Sequence, residues 1–569
     1  MFLRHRTRDG ERGVAVAWLA LTLLVLLGMA GFAVDVWQWY YTVQHTQRAA
    51  DAGALAGAVY MPSDPVRAES TARDAAGANG YGTSAVDVDP GASDAQLQVE
   101  VTETVNNNFL GIFGIDSTTV SRTAVAEYQG PVPMGSPVNQ LGNDPFGDQS
   151  NDTVAPRFWV NVAAPNATTQ SGDRHQGGNC SLAADNCSGS TNVDYEPNGY
   201  FFVVDVRAVG AGDLRFQAYD PGFFFVGDRC NNNLYTAGDP RLTTLAAAPF
   251  NITDAAQRYV SGNNRYCAGD QNIQGQDIDT DFIIRGPDDT PFSSLDNPVL
   301  CTKRFVDRNG DVNGLDTMLR DSTVLSPEGL RFRDFFRQWA DLCTVSNPQV
   351  GQYLIQVRSN ASVSDPLAYD PSVATGGHNR LSLRAGFGNA PAPASVNSAN
   401  VGFFANGRLP IYVNQNDGST TTNFYLARIT PLNANRTLEL NFFDIGDVSN
   451  GTVTLSIVPP AEATIDPNPN DATPGTPLTS FAGCQFTPRG SPTENLTSCS
   501  RSGMSSGTGF QGRIVRVLVP IPAGYTCNAA SFSAGCWIRV RLSFTGGALP
   551  SDTTTWSANM LGDPVRLIE

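Results

Sequence analysis

The first strong pattern along the chain is an uninterrupted apolar run from Val14 to Val34. A helix over this run rises about 1.5 Å per residue and is about 31 Å long, the thickness of the hydrocarbon core of a bilayer. Basic residues, which favour the cytoplasmic side, precede the run: Arg4, Arg6, Arg8 and Arg12. The pattern predicts a cytoplasmic basic tail over residues 1–13 and a transmembrane helix over 14–34. It indicates a single-pass plasma-membrane protein with its C-terminal bulk in the cell envelope or outside the cell.

A cleaved secretory signal is the alternative, because Gly31-Phe32-Ala33 resembles a small-x-small cleavage site. The apolar run is, however, longer than the roughly 7–15 residues usual for such signals. The helical pattern also continues beyond it as a heptad-like seam, formed by Val36, Tyr40, Val43, Gln47, Ala50, Ala54 and Gly57. We therefore expect a retained anchor on a helix that extends to about Tyr60.

Small residues dominate the end of this seam, between Ala49 and Ala58. Small side chains let a second backbone approach a helix closely. The candidate helix-packing residues are Ala49, Ala50, Asp51, Ala54 and Gly57. Two interpretations stay open: these residues pack against another member of an assembly, or against the hairpin that follows in the same chain.

Residues 35–129 have the pattern of a helical stem with a small α+β unit. Residues 65–78 predict a second helix, which the Asn79-Gly80 turn ends. Residues 96–105 and 118–128 alternate between polar and apolar and predict two strands. The predicted core of this unit packs against the small-residue helix and consists of Leu97, Val99, Val101, Val120, Ala124 and Ala126.

The remainder of the chain has a β-rich pattern. Turn formers fill residues 130–156 and predict a linker. Short apolar runs separated by turn signals then predict two β-sandwich (jelly-roll-like) domains, over 157–362 and 378–569, with a second linker over 363–377. The fold class predicted for the whole chain is α+β and mainly β.

Two segments of this β-rich part parallel each other, Gly199–Gly222 and Asn423–Gly446. Each has an aromatic-rich strand, a turn and a second strand that ends in Asp-x-Gly, at Asp220 and Asp444. The parallel indicates an internal duplication. Convergence of two unrelated β patterns is the alternative.

Composition and charge narrow the classes of function. Only 16% of residues are charged and 41% are hydrophobic, with 55 glycines and 36 prolines, which argues against both a disordered chain and a helical bundle. The net charge is −17 and Lys303 is the only lysine, so we expect no nucleic-acid partner. The chain has only four histidines, which disfavours a histidine-based catalytic or zinc site.

All ten cysteines follow residue 179: Cys180, Cys187, Cys230, Cys267, Cys301, Cys343, Cys484, Cys499, Cys527 and Cys536. An even number confined to the predicted exterior is typical of disulfides formed in an oxidising compartment. Sequential pairing, 180–187, 230–267, 301–343, 484–499 and 527–536, closes short loops and is the pairing we favour among the many that are open. Zinc binding is the rival interpretation, and the absence of any Cys-x-x-Cys pair disfavours it.

The best metal candidate is the segment 307–314. Oxygen ligands at alternate positions suit calcium, and the segment offers Asp307, Asn309, Asp311 and Asn313. An EF-hand loop that begins at Asn309 is excluded, because its twelfth position is Arg320 instead of glutamate. A looser calcium site or a plain turn are the two remaining interpretations, and we expect no other cofactor. Asp444 and Asp447 also stand together at a strand end, where a turn is the simpler interpretation.

The strings 503–507 (Gly-x-Ser-x-Gly) and 507–512 (Gly-x-Gly-x-x-Gly) occur in the sequence, but no predicted helix follows them, so they lack the strand–turn–helix context of a nucleophile elbow or a Rossmann loop. No Walker motif is present. His175 and His378 stand in glycine-flanked segments and are expected to be structural. A pair of carboxylates that catalyses glycoside hydrolysis is brought together only by the fold, so a sequence does not reveal it. We predict a protein that is not an enzyme.

The N-terminal sequence resembles a known family. The stretch is RGVAVAWLALTLLVLLGMAGFAVDV and is followed by Gln44, Gln47 and AADAGALAGA. Over about residues 12–60 it is similar to the N-terminal domain of TadE/TadG-like Flp pilus-assembly proteins of bacteria. The resemblance implies a bitopic envelope protein with a pseudopilin-like start, involved in building or anchoring type IVb (Flp) pili.

Two features depart from this family pattern. Pilins and TadE-type pseudopilins carry a glutamate five residues after the processing glycine, and here Trp18 follows Gly13 at that distance. Some TadG proteins also carry a von Willebrand A domain with an Asp-x-Ser-x-Ser metal site. The segment 321–326 lacks that spacing, so this metal site is not carried over.

Three functions are therefore ranked. The first is a membrane-anchored structural or assembly protein of the Flp (Tad, type IVb) pilus system or a related envelope scaffold, with the lipid bilayer and other pilus-assembly or envelope proteins as partners. The second is a surface adhesin or carbohydrate-binding module on the same anchor. An exported enzyme is third.

Overall fold

The structure is a computed structural model. It describes residues 9–568 apart from 62–64, 92–95, 129–131, 148–157, 179, 181–191, 263–264, 274–277, 289–293, 307–309, 321–329, 360–375, 389–399, 415–420, 467–473, 506–509, 531, 533–534, 548 and 562–564. The chain forms two compact units. Unit 1 comprises residues 1–130 and 562–569, and unit 2 comprises residues 131–561.

Strands outnumber helices along the described chain. The helices are α1 (Asp9–Ala58), α2 (Pro65–Ala78), α3 (Pro240–Ala246), α4 (Ala255–Arg258), α5 (Gly310–Arg320) and α6 (Phe332–Phe335). The strands up to the middle of the chain are β1 (Val86–Pro90), β2 (Gln96–Asn106), β3 (Ser117–Tyr128), β4 (Pro133–Ser136), β5 (Gln140–Leu141), β6 (Phe158–Ala163), β7 (Tyr200–Val206), β8 (Asp213–Tyr219), β9 (Thr280–Arg285), β10 (Val299–Phe305), β11 (Trp339–Val345), β12 (Gly351–Ser359) and β13 (His378–Gly388). The remaining strands are β14 (Val401–Asn406), β15 (Arg408–Asn414), β16 (Thr421–Arg428), β17 (Thr437–Phe443), β18 (Val448–Ser449), β19 (Thr452–Val458), β20 (Thr464–Ile465), β21 (Thr476–Pro477), β22 (Cys484–Pro488), β23 (Glu494–Leu496), β24 (Ser500–Met504), β25 (Ile514–Pro520), β26 (Tyr525–Thr526), β27 (Trp537–Thr545), β28 (Leu549–Met560) and β29 (Val565–Leu567).

Unit 1 packs α1 and α2 on an antiparallel sheet in the order β1-β2-β3-β29. The second helix and both long strands occur where the sequence predicts them. All six predicted core residues are buried. They are buried because the alternating pattern of β2 and β3 turns one face of the sheet towards the helices.

The last strand of unit 1 comes from the C-terminal end of the described chain. β29 pairs with β3, with Leu567 opposite Ala126. The structure therefore differs from the predicted sandwich over 378–569, whose last residues belong to unit 1. Nothing in the local pattern of three residues reveals this, because the pairing joins segments more than 400 residues apart.

Unit 2 is built from two large antiparallel sheets. In the part of the chain that the structure describes, one runs β10-β9-β12-β7-β14-β4-β16-β27-β19-β24. The other runs β11-β8-β13-β6-β15-β28-β17-β25-β22-β23, with β5 and β18 at its side. The fold class, an apolar helix followed by a mainly β body, is confirmed. The predicted linker over 130–156 is not: its first part forms β4 and β5, and residues 148–156 lie outside the described part.

The two sheets contain a duplication of nine strands. The first set is β4, β6, β7, β8, β9, β10, β11, β12 and β13, and the second, in the same order, is β14, β15, β16, β17, β19, β24, β25, β27 and β28. Pairings recur between equivalent strands: β12 pairs with β7 and β9, as β27 pairs with β16 and β19, and β13 pairs with β6 and β8, as β28 pairs with β15 and β17. The duplication indicated by the sequence is thus present in both sheets, although β22 and β23, at the end of the second sheet, have no counterpart among the described strands of the first repeat.

The two repeats exchange their first strands. β14 of the second repeat pairs with β7 of the first, and β4 of the first pairs with β16 of the second. β4 pairs with β14 and β6 with β15, so both sheets run continuously through the two repeats. The predicted division into separate sandwiches over 157–362 and 378–569 therefore does not hold. β13 belongs by its pairing to the first repeat, and of the predicted linker over 363–377 the residues 363–375 lie outside the described part.

The Asp-x-Gly ends of the parallel segments adopt the same geometry. Asp220 and Asp444 both have positive φ, 54° and 59°, and both are buried. The Arg337 backbone N–H donates to Asp220 Oδ1 at 2.9 Å, and the Gly512 N–H donates to Asp444 Oδ1 at 2.5 Å. Asp220 follows β8 and fixes the chain just before β11, the strand that pairs with β8. Asp444 follows β17 and fixes the chain just before β25, the strand that pairs with β17.

Disulfides join the predicted partners in four of the five pairs. These are Cys230–Cys267, Cys301–Cys343, Cys484–Cys499 and Cys527–Cys536, with Cα–Cα distances of 5.8, 5.9, 5.2 and 5.2 Å. The fifth predicted pair includes Cys187, which lies outside the described residues.

Two of these bridges connect the sheets at their edges. Cys301 lies on β10 and Cys343 on β11, which are edge strands of different sheets. Cys484 lies on β22, and Cys499 directly precedes β24 at the opposite end of the other sheet. The first cross-link joins two edge strands, and the second joins β22, next to the edge strand β23, to the edge of the other sheet.

Paired serine substitutions should reveal the contribution of these bridges. Removing Cys301–Cys343, with a sequence separation of 42, should lower the unfolding free energy by about 4 kcal/mol, because a longer loop regains more entropy when it opens. Removing Cys527–Cys536, with a separation of 9, should cost about 2.5 kcal/mol. Chemical unfolding of the purified variants measures both, and the reverse order would contradict the prediction.

Candidate functional site: the long helix and its packing face

The first half of α1 presents an apolar surface. Trp18, Leu19 and Leu24 are 67%, 71% and 70% exposed, and the Thr22 hydroxyl donates to the Trp18 carbonyl at 2.7 Å, which satisfies it within the helix. The segment Gly13–Ala58 is long and apolar enough to cross a membrane. An exposed apolar helix with its polar groups satisfied internally fits a lipid environment, which indicates a single-pass membrane anchor.

The second half of α1 is buried along one stripe, and the stripe does not begin where the heptad pattern predicts. Asp35, Thr42 and Thr46 are buried, whereas Val36 and Tyr40 face outwards. The Thr46 hydroxyl donates to the Thr42 carbonyl at 2.9 Å, so this polar side chain is buried with its hydrogen bond made. Asp35, Thr42 and Thr46 each directly precede a predicted seam position, whereas Ala50, Ala54 and Gly57 are buried as predicted. The prediction is wrong in the first part of the seam because it follows apolar positions, whereas polar residues occupy the buried ones.

The predicted helix-packing residues lie in the core of unit 1. Ala49, Ala50 and Ala54 have no exposed surface and belong to its hydrophobic cluster. Asp51 is only half-buried, and its carboxylate accepts a hydrogen bond from the Gln47 amide at 2.8 Å. Gly57 is buried as well. Of the two interpretations left open by the sequence, packing within the same chain is the one observed.

Two glycines set how closely α1 approaches the rest of unit 1. A Cβ at Gly57 would stand 2.6 Å from the Ala68 carbonyl oxygen of α2 and would overlap the Leu97 side chain of β2. A Cβ at Gly53 would stand 3.0 Å from the Ala72 carbonyl oxygen. Backbone atoms cannot move aside as a flexible side chain can, so the small-residue face is required by this packing.

Asp35 connects α1 to the turn between β2 and β3. Its Oδ1 accepts the Asn108 backbone N–H at 2.8 Å, and its Oδ2 accepts those of Phe109 and Leu110 at 2.9 and 2.8 Å. The Trp39 indole N–H adds a hydrogen bond to Asn107 Oδ1 at 2.7 Å. In the sequence, Asp35 directly follows the apolar run, and no predicted site includes it. Its signal was a lone carboxylate between apolar neighbours, which requires partners when buried.

Unit 2 contains a polar groove of about 640 Å³. Strands β15, β28 and β17 and the segment 196–201 contribute to its lining, which includes Asn198, Asn406, Asn441 and Asn559. Two ion pairs lie along it: Arg174 to Asp194 at 2.6 Å and Arg408 to Glu196 at 4.0 Å. The groove offers many hydrogen-bonding groups of balanced charge, a surface suited to a polar, uncharged ligand.

The two histidines of unit 2 are structural, in line with the sequence interpretation. His175 Nδ1 donates to the Asp194 carbonyl at 3.2 Å, and burial together with the Arg408 and Arg174 charges lowers the pKa of His175 to about 3. His378 is fully buried and its Nδ1 donates to Asn161 Oδ1 at 3.0 Å. Burial also lowers the pKa of His378. Both imidazoles are neutral at ordinary pH.

The carboxylates at the end of β17 line a second cavity of about 320 Å³. Asp444 serves the turn described above, and Asp447 stands near the buried Asp552. Asp552 Oδ2 accepts the Gly446 N–H at 2.8 Å. Burial, followed by the charge of Asp447, raises the pKa of Asp552 to about 7.

The calcium candidates of the sequence lie outside the described part of the structure. Asp307 and Asn309 are among these residues, and so are the side chains of Asp311 and Asn313. The segment 321–326 lies outside the described part too. Across the residues that are described, no group of three or more His, Cys, Asp or Glu residues is placed to hold a metal ion.

Comparison with known proteins identifies the N-terminal part. Residues 13–59 match the model of the family described as putative Flp pilus-assembly TadE/G-like. The match confirms the resemblance found in the sequence and coincides with the apolar run and the small-residue face. No curated protein and no solved structure matches the chain. The family match supports a role in pilus assembly.

Two glycine-to-alanine variants should separate close packing from helix propensity. Gly57→Ala should destabilise unit 1 by about 1–3 kcal/mol, because its Cβ meets the Ala68 backbone. Gly77→Ala is the matched control in α2, where nothing lies within 4 Å of the added Cβ. It should be neutral or stabilise by up to about 1 kcal/mol. Thermal unfolding in detergent compares them, and equal effects would rule out the packing argument.

The stability of unit 2 should depend on the protonation of Asp552. Its folded pKa of about 7 exceeds the ordinary value near 3.9, so the folded protein holds a proton that the unfolded chain releases. Stability should therefore fall as pH rises from about 4 to about 7, by at most about 4 kcal/mol. Asp552→Asn, which stays neutral, should reduce this fall in unfolding measured at pH 4.5 and pH 8. Burial also raises the pKa of Asp220 to about 7, so the fall due to other buried carboxyls should remain.

Asp239→Asn is the control for this pH effect. Hydrogen bonds from Arg241 lower the pKa of Asp239 to about 2, so it is ionised in both folded and unfolded chains above about pH 4.5. Its variant should keep the wild-type slope. A wild-type slope in the Asp552 variant would show that another group is responsible.

Proposed function

We propose that this chain is a non-enzymatic, single-pass membrane protein that assembles or anchors Flp (Tad, type IVb) pili, or serves as a related envelope scaffold. The observation that carries the proposal is the coincidence of the family match over residues 13–59 with the helix that supplies both the apolar span and the core of unit 1. One helix thereby fixes a folded unit directly to its membrane anchor.

The proposed orientation places the N-terminus in the cytoplasm and unit 2 at the cell exterior. Four arginines before the apolar run favour a cytoplasmic tail. The four described disulfides of unit 2 are typical of an oxidising compartment. Both features support the same direction of insertion. The partners on this proposal are the lipid bilayer and other pilus-assembly or envelope proteins.

A gene deletion with matched complementation tests the assembly role. Deletion should abolish or strongly reduce pili counted by electron microscopy, and the full chain should restore them. A chain whose residues 14–34 are replaced by an unrelated membrane span should be retained in the membrane, which separates anchoring from specific contacts of the span. Normal piliation in the deletion strain would refute the assembly role, whereas protease digestion of intact cells tests the orientation independently.

A carbohydrate-binding adhesin is the second candidate, favoured by the polar groove of unit 2. Amide side chains such as Asn441 and Asn559 together with paired charges supply the hydrogen bonds that a sugar needs. Glycan-array binding by the purified full chain, lost in Asn441→Ala with Asn559→Ala, would support this function. Absence of binding together with loss of pili in the deletion strain would favour the assembly role.

A further inference from the structure

The turn between β2 and β3 lies beside the apolar part of α1. We call residues 107–116 the hairpin tip. The Phe109 ring packs against the helix where side chains are absent: a Cβ at Gly31 would stand 2.5 Å from the ring, and one at Gly28 would stand 3.6 Å from it. The two glycines thus form a notch in α1 that Phe109 fills. Asp35 holds the tip in this position through three backbone N–H groups.

The position of this notch places the tip at membrane depth. Gly31 and Gly28 precede Asp35 by four and seven residues, which is about 6–10 Å along the helix towards the middle of the apolar run. Exposed aromatic side chains occupy the next turn on the other side of Asp35, where Trp37, Tyr40 and Tyr41 are 65%, 66% and 57% exposed. Aromatic residues of this kind concentrate at membrane–water interfaces.

The hairpin tip itself exposes apolar side chains. Ile112, Phe113 and Ile115 are 76%, 68% and 51% exposed, and the Phe113 ring contacts Phe109 with centroids 5.4 Å apart. Between Asn107 and Ile115 the tip has no charged side chain. Asp116 follows at the base, where the Asn107 N–H donates to its carbonyl at 2.8 Å and closes the turn. Exposed apolar residues at a turn usually need an apolar partner.

We propose that the hairpin tip inserts into the lipid bilayer next to α1, as a second membrane contact of unit 1. The occupant of its apolar surface is the acyl region below the headgroups, because that surface continues the lipid-facing surface of the helix at the same depth. Two contacts with one leaflet fix the orientation of unit 1 relative to the membrane, which a single helix leaves free to rotate. The inference rests on α1 being the membrane anchor of the proposed function.

Site-specific fluorescence on the full chain tests this insertion. No cysteine among the described residues is free, so an introduced thiol can be labelled with the environment-sensitive dye NBD. The test variant is Phe113→Cys, reconstituted in phosphatidylcholine vesicles. Two controls bracket it: Leu24→Cys in the middle of the apolar run, 70% exposed, and Val66→Cys at the start of α2, 79% exposed.

Insertion predicts that the dye at position 113 resembles the dye at position 24. Its emission should shift to the blue, lipid-attached quenchers should reduce it, and quenching by aqueous iodide should be several-fold weaker than at position 66. A dye at 113 as accessible to iodide as at 66, with position 24 shielded, would overturn the insertion alone. Accessibility at both 24 and 113 would instead refute the membrane anchor.

A notch variant and a dilution series complete the test. Gly31→Leu fills the notch and should expel Phe109, so the dye at position 113 should become accessible to iodide while the dye at position 24 remains shielded. Unchanged shielding in this variant would contradict the role of the notch. Dilution of the protein in lipid should leave the shielding at 113 unaltered, whereas shielding that disappears on dilution would identify a second copy of the chain as the occupant and overturn the proposal.

Discussion

The close approach of α1 to α2 and β2 is the constraint on which the structure of unit 1 depends. At Gly57 the helix backbone comes so near to a carbonyl of α2 that a larger residue needs a backbone shift, and at Gly53 an added Cβ would be in tight contact with another. Contact of this kind fixes the rotation and the height of the helix against the sheet, because backbone atoms on both sides have no alternative rotamers. The same helix continues as the apolar span, so the fold of unit 1 determines which of its side chains face lipid. The carboxylate of Asp35 extends this control to the hairpin tip.

Unit 2 reaches its size by duplication rather than by adding independent domains. The exchange of first strands between the repeats joins both sheets into continuous layers, and disulfides bridge the edges at each end. Removing either repeat would leave strands of the other without partners, with exposed edges that favour aggregation. A body of this construction suits the proposed location outside the cell. Its groove is the surface that the second proposed function would use.

The proposed function is supported by different observations in the two units. In unit 1 the matched residues form the anchor and part of the core, so the family relationship has a direct physical counterpart. In unit 2 the case for function rests on geometry: disulfides, a groove with balanced charges and two neutral histidines held by hydrogen bonds. These features agree with the exported body that is proposed above to bind or support other molecules.

The sequence by itself determined what depends on local periodicity. The apolar run, the second helix, the strands of unit 1 and the small-residue face follow from patterns within a few dozen residues. The sequence favoured the duplication around Asp220 and Asp444 and the sequential disulfide pairing, but it left alternatives to both. Only the tertiary structure decided where distant segments meet. It decided that β29 pairs with β3 and that β4 and β14 are exchanged between the repeats. It also decided that Asp35 and Thr42 are buried in place of Val36 and Tyr40, and that Phe109 packs on Gly28 and Gly31. The local sequence around these residues does not predict any of these contacts. Pairing between distant strands depends on backbone hydrogen bonds, which nearly every residue can form, and packing on a glycine depends on the shape of its distant partner. Neither therefore produces a periodic pattern in the sequence.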